Sequence, residues 1–111
     1  MTLPGRRNAF AMYDKFPVSS GHILIIPKKH CADYFELTLE EQYACWSMLN
    51  DAKEILKVKF NPDGFNVGIN IGDSAGQTVQ HVHVHLIPRY KGDVEEPGGG
   101  VRGVIPWKRS Y

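Results

Sequence analysis

Val79-Gln80-His81-Val82-His83-Val84-His85-Leu86-Ile87 is the stretch that decides the fold. Its alternation has the period of a β-strand, in which successive side chains point to opposite faces and same-face neighbours stand roughly 6.6–7 Å apart. A strand over Val79–Ile87 therefore carries His81, His83 and His85 on one face. Val82, Val84 and Leu86 lie on the other and need an apolar layer to cover them.

The flanking segments supply that layer. Phe65–Gly72 alternates in the same way, with Phe65, Val67, Ile69 and Ile71 on one face and Asn66, Gly68, Asn70 and Gly72 on the other. That second face is bare, as strands are where a ligand or another backbone comes close. Asp73–Thr78 between the two strands is a loop of small residues. Upstream, Thr38-Leu39-Glu40-Glu41 has capping-box spacing and opens a helix. Its core stripe is Cys45, Met48, Leu49, Ala52, Ile55 and Leu56, and Asn61-Pro62-Asp63-Gly64 ends it. Asn8–Tyr13 and His22–Pro27 read as an antiparallel pair across a polar loop, and Val101–Ile105 as a last short strand before an irregular tail. The expectation is one α+β domain over residues 1–111, an antiparallel sheet of about five strands with one long helix on one face.

Composition narrows the function classes. With 42% hydrophobic and 23% charged residues the chain is not a disordered one. Thirteen basic against twelve acidic residues give a net charge of +1, too little for a protein that holds nucleic acid by charge. The apolar run Ile23–Ile26 is far too short to cross a membrane, and no secretory signal is expected. Cys31 and Cys45 form no Cys-x-x-Cys pair, and with no signal they suggest the cytoplasm. Cys45 falls on the core stripe as a small hydrophobe; Cys31 follows His30, which has no assigned role.

Three chemistries use a row of imidazoles. Zinc can bind His-x-His on a strand. One imidazole can attack as a nucleophile while its neighbours handle protons. Partly protonated rings can hold an anion. Gly76-Gln77-Thr78, with backbone amides, a carboxamide and a hydroxyl, is suited to phosphate oxygens, whereas a metal would call for a nearby carboxylate; Asp73 is several residues away. Phosphoryl or nucleotidyl transfer is therefore preferred over zinc.

Gln77–Ile87 resembles the signature of the histidine-triad superfamily, in which three histidines alternate with apolar residues. Ala9–Asp14 with Gly21–Pro27, Gly68–Gly72 and Gly99–Pro106 are similar to further segments of that superfamily, in the same order, and the last of them resembles prokaryotic diadenosine polyphosphate hydrolases. The resemblance implies a hydrolase that cleaves dinucleoside polyphosphates or nucleoside phosphoramidates at the α-phosphate. It implies His83 as nucleophile and a covalent nucleotidyl-histidine intermediate, with His81, His85 and His22 completing the catalytic set. Asp14 would take the ribose hydroxyls. Asn70, Gly76, Gln77 and Thr78 would hold the phosphates, and Met12, Phe16 and Leu24 the base. It further implies a purine nucleotide substrate, a homodimer to which Tyr43, Trp46 and Leu49 offer apolar surface, and no required cofactor beyond a divalent metal accompanying the nucleotide. Trp107 is open between packing and a role in tuning the substrate. Members usually carry a longer N-terminal segment, often with Cys-x-x-Cys; only Met1–Arg7 precede the first expected strand, so no zinc is expected there. A nucleotide-binding module without turnover and a zinc protein built on His81, His83 and His85 are the alternatives.

Overall fold

The computed structural model describes Thr2–Tyr111, with side chains from Gly5 onward; Met1 lies outside the described residues. Five strands form one antiparallel sheet: β1 (Thr2–Arg6), β2 (Ala9–Tyr13), β3 (Ile23–Pro27), β4 (Gly64–Gly68) and β5 (Val84–Arg89). Their spatial order is β1-β2-β3-β5-β4. One helix, α1 (Leu39–Lys59), packs on the rear face, chiefly against β2 and β3.

The helix begins where the capping box places it. The Thr38 hydroxyl accepts from the Glu41 amide at 3.1 Å, and Glu41 Oε1 accepts from the Thr38 amide at 2.8 Å. Asn61, at φ 49°, turns the chain out of the helix in the left-handed region that asparagine tolerates. Between these ends Cys45, Met48, Ala52 and Leu56 are buried against Ala9, Ala11, Ile23, Ile25, Val84 and Leu86. The three alanines, each fully buried, let helix and sheet approach closely. Burial pushes the Cys45 thiol up to about 11, so it is an inert core group. No helix of the described residues is long and apolar enough to cross a membrane.

The expected elements need four corrections. A strand at Thr2–Arg6 precedes the expected first one; it pairs with β2, and its register slips between Leu3 and Arg6, around Pro4, which has no N–H for a ladder. Val101–Ile105 is not a strand: Gly100–Val104 and Pro106–Lys108 are 3₁₀ turns. The tail is fastened by arginines, Arg102 donating to the Lys108 carbonyl and Arg109 to those of Gly98 and Glu96. The expected strand Phe65–Gly72 leaves the ladder after Gly68. The expected strand Val79–Ile87 enters it only at Val84. The register pairs Ile25 with Val84, so continuing it would set Val82 opposite Pro27, which lacks an N–H. The Val82 amide goes instead to the Cys31 carbonyl at 2.8 Å.

Alternation nevertheless survives outside the ladder. Val82 is buried with Tyr34 and Leu37 in a second cluster, against which Cys31, Ile69 and Ile71 pack. The sheet therefore has a rear face covered by α1 and a front face carrying Phe10, Leu24, Ile26, Gly68 and the histidines.

Leu56 is fully buried between α1 and the sheet, so Leu56→Ala leaves a cavity. We predict a loss of about 2–5 kcal/mol in urea unfolding at constant m-value. A loss below about 1 kcal/mol would show that the helix and sheet collapse onto the gap.

Candidate active site

His22, His83, His85 and Asp14 meet on the front face, and His81 lies beyond them, against Pro27 at the far end of β3. His22 lies just before β3 and is buried; His85 lies in β5, paired across the ladder with Leu24 and Gly68. Their rings touch: His22 Nε2 and His85 Nδ1 are 2.9 Å apart. The rings of His83 and His85 meet edge-on with centroids 4.9 Å apart. Asp14 follows β2, its Oδ1 accepting from the Phe16 amide and its Oδ2 lying 3.6 Å from His22 Nε2.

The main chain decides where each ring carries its proton, because a carbonyl only accepts and an amide N–H only donates. His83 Nδ1 faces the His81 carbonyl at 3.0 Å, so Nδ1 holds the hydrogen and a neutral ring has its lone pair on Nε2. His81 Nε2 faces the Pro27 carbonyl at 2.9 Å and likewise donates. His22 Nδ1 accepts from the Val18 amide at 3.2 Å, so its proton is on Nε2 and is given to His85 Nδ1. His85 then presents Nε2–H, which has no protein acceptor among the described residues. Burial pushes the titration of both His22 and His85 down, with Asp14 opposing and His83 adding to the shift, so both rings are neutral near pH 7.

Asp14, His81, His83 and His85 border a cavity of about 460 Å³, and His22 stands behind His85 outside its lining. His81, His83 and His85 form one wall, Phe10, Phe16, Leu24 and Ile26 another, and Asn70 with Gly76–Val79 the rim; Asp14 reaches the same space. Met12, expected at the base slot, is not among the lining residues, and Phe10 and Ile26 are there instead. The alternation Ala9-Phe10-Ala11 held that signal, since the buried alanines send Phe10 to the front. Asn70 and Thr78 are exposed at the rim. Gln77 differs. Its Oε1 accepts from the Gly72 amide at 2.8 Å and its Nε2 donates to the carbonyls of Ala32 and Val79, so its amide latches the loop. The rim turns at Gly72 and Gly76, with φ of 90° and 91°.

His30, with no role expected, lies against His81, their rings tilted by 41° with centroids 4.5 Å apart. Trp46 donates to the Tyr34 hydroxyl at 2.9 Å, and Trp107 stands 81% exposed on the tail, away from the cavity. Among the described residues one group could gather a metal: Asp14, His22 and His85, with donor atoms within 4.8 Å of one another. His81 and His83 are not in it. Its tautomers fit an ion poorly. A metal on His22 Nε2 would move that ring's hydrogen to Nδ1, against the Val18 N–H.

A model of the HIT domain family matches residues 6–92. The bis(5'-adenosyl)-triphosphatase of Dictyostelium discoideum is 40% identical over 87 residues, 78% of this chain and 58% of that protein. The AP-4-A phosphorylase of Mycobacterium tuberculosis is 34% identical over 85 residues, 76% of this chain and 44% of that one. A zinc-bound histidine triad family protein from Mycobacterium smegmatis superposes with a TM-score of 0.76 at 31% identity, covering 83% of this chain and 67% of its own. The chain thus spans about half the length of these two curated relatives. It belongs to the HIT domain family.

The neutral pair His22–His85 makes stability depend on pH. In the unfolded chain both imidazoles take up protons at about pH 6.5; in the folded chain they do so only at lower pH. Below about pH 6.5 the unfolded state therefore binds more protons, and stability drops as pH falls. We predict a lower urea midpoint at pH 5.5 than at pH 7.5, a difference that shrinks in His22→Asn. Equal midpoints in the wild type would show that the pair is not held neutral.

Proposed function

We propose that the chain is a nucleotidyl hydrolase that splits dinucleoside polyphosphates at the α-phosphate through a covalent intermediate on His83. The observation that carries this reading is the hydrogen bond from His83 Nδ1 to its neighbour's carbonyl, which leaves Nε2 as the lone pair bordering the cavity. A nucleophile of this kind needs no external base.

In the first step the Nε2 lone pair forms a bond to the α-phosphorus and the bond to the bridging oxygen breaks. The electron pair leaves on that oxygen with the departing nucleoside oligophosphate, and His85 Nε2–H stabilises the charge as it develops. The ring, now substituted on Nε2 and still protonated on Nδ1, is cationic, and the His81 carbonyl accepts the strengthened hydrogen bond. In the second step water attacks phosphorus, the P–N pair returns to Nε2, and one water proton passes to solvent. His22 keeps His85 in the donor tautomer, and His81 holds the backbone bend through Pro27. Asp14 is an acceptor for ribose hydroxyls. Phe10, Phe16, Leu24 and Ile26 offer a slot for a purine. Asn70, Thr78 and the Gly76 backbone are the phosphate donors, positioned by the Gln77 latch. The names of the two curated relatives support this substrate class. The reaction uses no resident metal, a divalent ion at most accompanying the polyphosphate, and the two free thiols suit a reducing cytoplasm.

The same reading includes a homodimer. Leu39 and Tyr43 are 81% and 75% exposed, one turn apart on α1, and Phe35, in the turn just before the helix, is 73% exposed. Such a patch calls for an apolar partner, and a second copy supplies one. Light scattering at micromolar concentration should give a dimer that Tyr43→Asp converts to monomer; a monomeric wild type would remove this element.

Incubation with diadenosine triphosphate should release AMP and ADP. His83→Ala should slow that release by roughly 10⁴-fold or more. Acid quenching during turnover should trap an adenylyl adduct on the peptide holding His83. Nucleotide binding without cleavage would make the chain a binding module, and cleavage that persists in His83→Ala would overturn the mechanism.

A further inference from the structure

A second cavity, of about 370 Å³, is lined by His22 and His85 but not by His83. His85 and Asn70 border both cavities, while His83 borders only the first. The strand face that carries His85 continues to Ile87 and Arg89, and the tail at Gly100 and Val101 closes over it. The floor is Gly68, paired directly with His85; a Cβ there would meet nothing within 4 Å. This glycine is demanded neither by its φ nor by crowding, so its effect is to leave space.

One polar side chain on its border, Asn66, is held in a fixed orientation. Arg89 is locked to Asp93 by two bonds of 2.8 Å, and its remaining arm donates to Asn66 Oδ1 at 2.7 Å. A guanidinium only donates, so the Asn66 amide orientation is settled and its NH₂ is the end left over. That NH₂ stands by Gly100, 3.4 Å from where a Cβ would be built. Asn66 thus offers a fixed donor to an oxygen-rich ligand.

We propose that this cavity receives the leaving half of the substrate, a nucleoside oligophosphate, and that Gly68 sets how large that half can be. This rests on the hydrolase reading above. A group displaced by His83 departs from the opposite side of phosphorus, and His85, which borders both cavities, donates its Nε2–H to the bridging oxygen as it leaves. Val18 and Val101 form the apolar sides, and Asn66 meets the phosphates or the second ribose.

The test compares two substrates with the same adenylyl half, diadenosine triphosphate and adenosine 5′-phosphoramidate, whose leaving groups are ADP and ammonia. Gly68→Val fills the floor with a residue that strands favour. Val101→Trp fills the same space from the exposed side, where folding is little affected. In both variants kcat/KM for diadenosine triphosphate should fall at least tenfold further than for the phosphoramidate. Equal losses on the two substrates, or an unchanged ratio in both variants, would overturn the assignment of this cavity. Wild-type protein that cleaves neither substrate would overturn the hydrolase reading itself, an outcome distinct from an unchanged ratio.

Discussion

Burial of Val82, Val84 and Leu86, each 1% exposed, is the constraint on which the rest of the molecule depends. A slip of one residue would turn His81, His83 and His85 into the rear core and expose three aliphatic side chains. Burying three imidazoles without partners costs several kcal/mol, so the register is strongly held. The fold and the site thus have one cause. The helix stripe that covers Val84 and Leu86 drives the histidines to the front, and the smaller cluster around Tyr34 and Leu37 does the same through Val82.

Departure from the ladder is what gives the rings their tautomers. Pro27 ends β3 pairing, and the chain at 81–83 is free of strand hydrogen bonds. The His81 carbonyl is therefore available to His83 Nδ1, and the Pro27 carbonyl to His81 Nε2. In a continuous central strand such carbonyls are taken up by neighbouring amides. Val18, on the loop between β2 and β3, adds the opposite instruction to His22 with an N–H. Main-chain groups, which cannot change their donor or acceptor character, thus set the protonation of a site whose side chains all could.

Most of this architecture is legible in the sequence because it rests on period. The alternations at Phe65–Ile71 and Val79–Ile87 and the three-and-four spacing along α1 report burial directly. Strand ends are less legible, since they depend on which residue stands opposite: Val82 looks like strand until Pro27 is set beside it. Thr2–Arg6 was hidden by Pro4 and Gly5, which read as a break but are accommodated as an irregularity at an edge. Val101–Ile105 misleads in the other direction, its β-branched residues being held in 3₁₀ turns by distant arginine bonds. In the site, the histidine set and Asp14 are written in motif and order. Phe10 as a wall is written in the alternation Ala9-Phe10-Ala11, but Gln77 as a latch and Asn66 as a fixed donor are not, because they follow from partners such as Ala32 and Arg89, 45 and 23 residues away.

The chemistry of the site turns on which ring nitrogen of each histidine is protonated. Two-bond ¹H–¹⁵N correlation spectra of the resting protein near pH 7.5 read this directly. His83 should carry its hydrogen on Nδ1 with a bare Nε2, and His22 and His85 should both carry theirs on Nε2. A His83 protonated on Nε2 would leave no lone pair facing the cavity and would contradict this assignment.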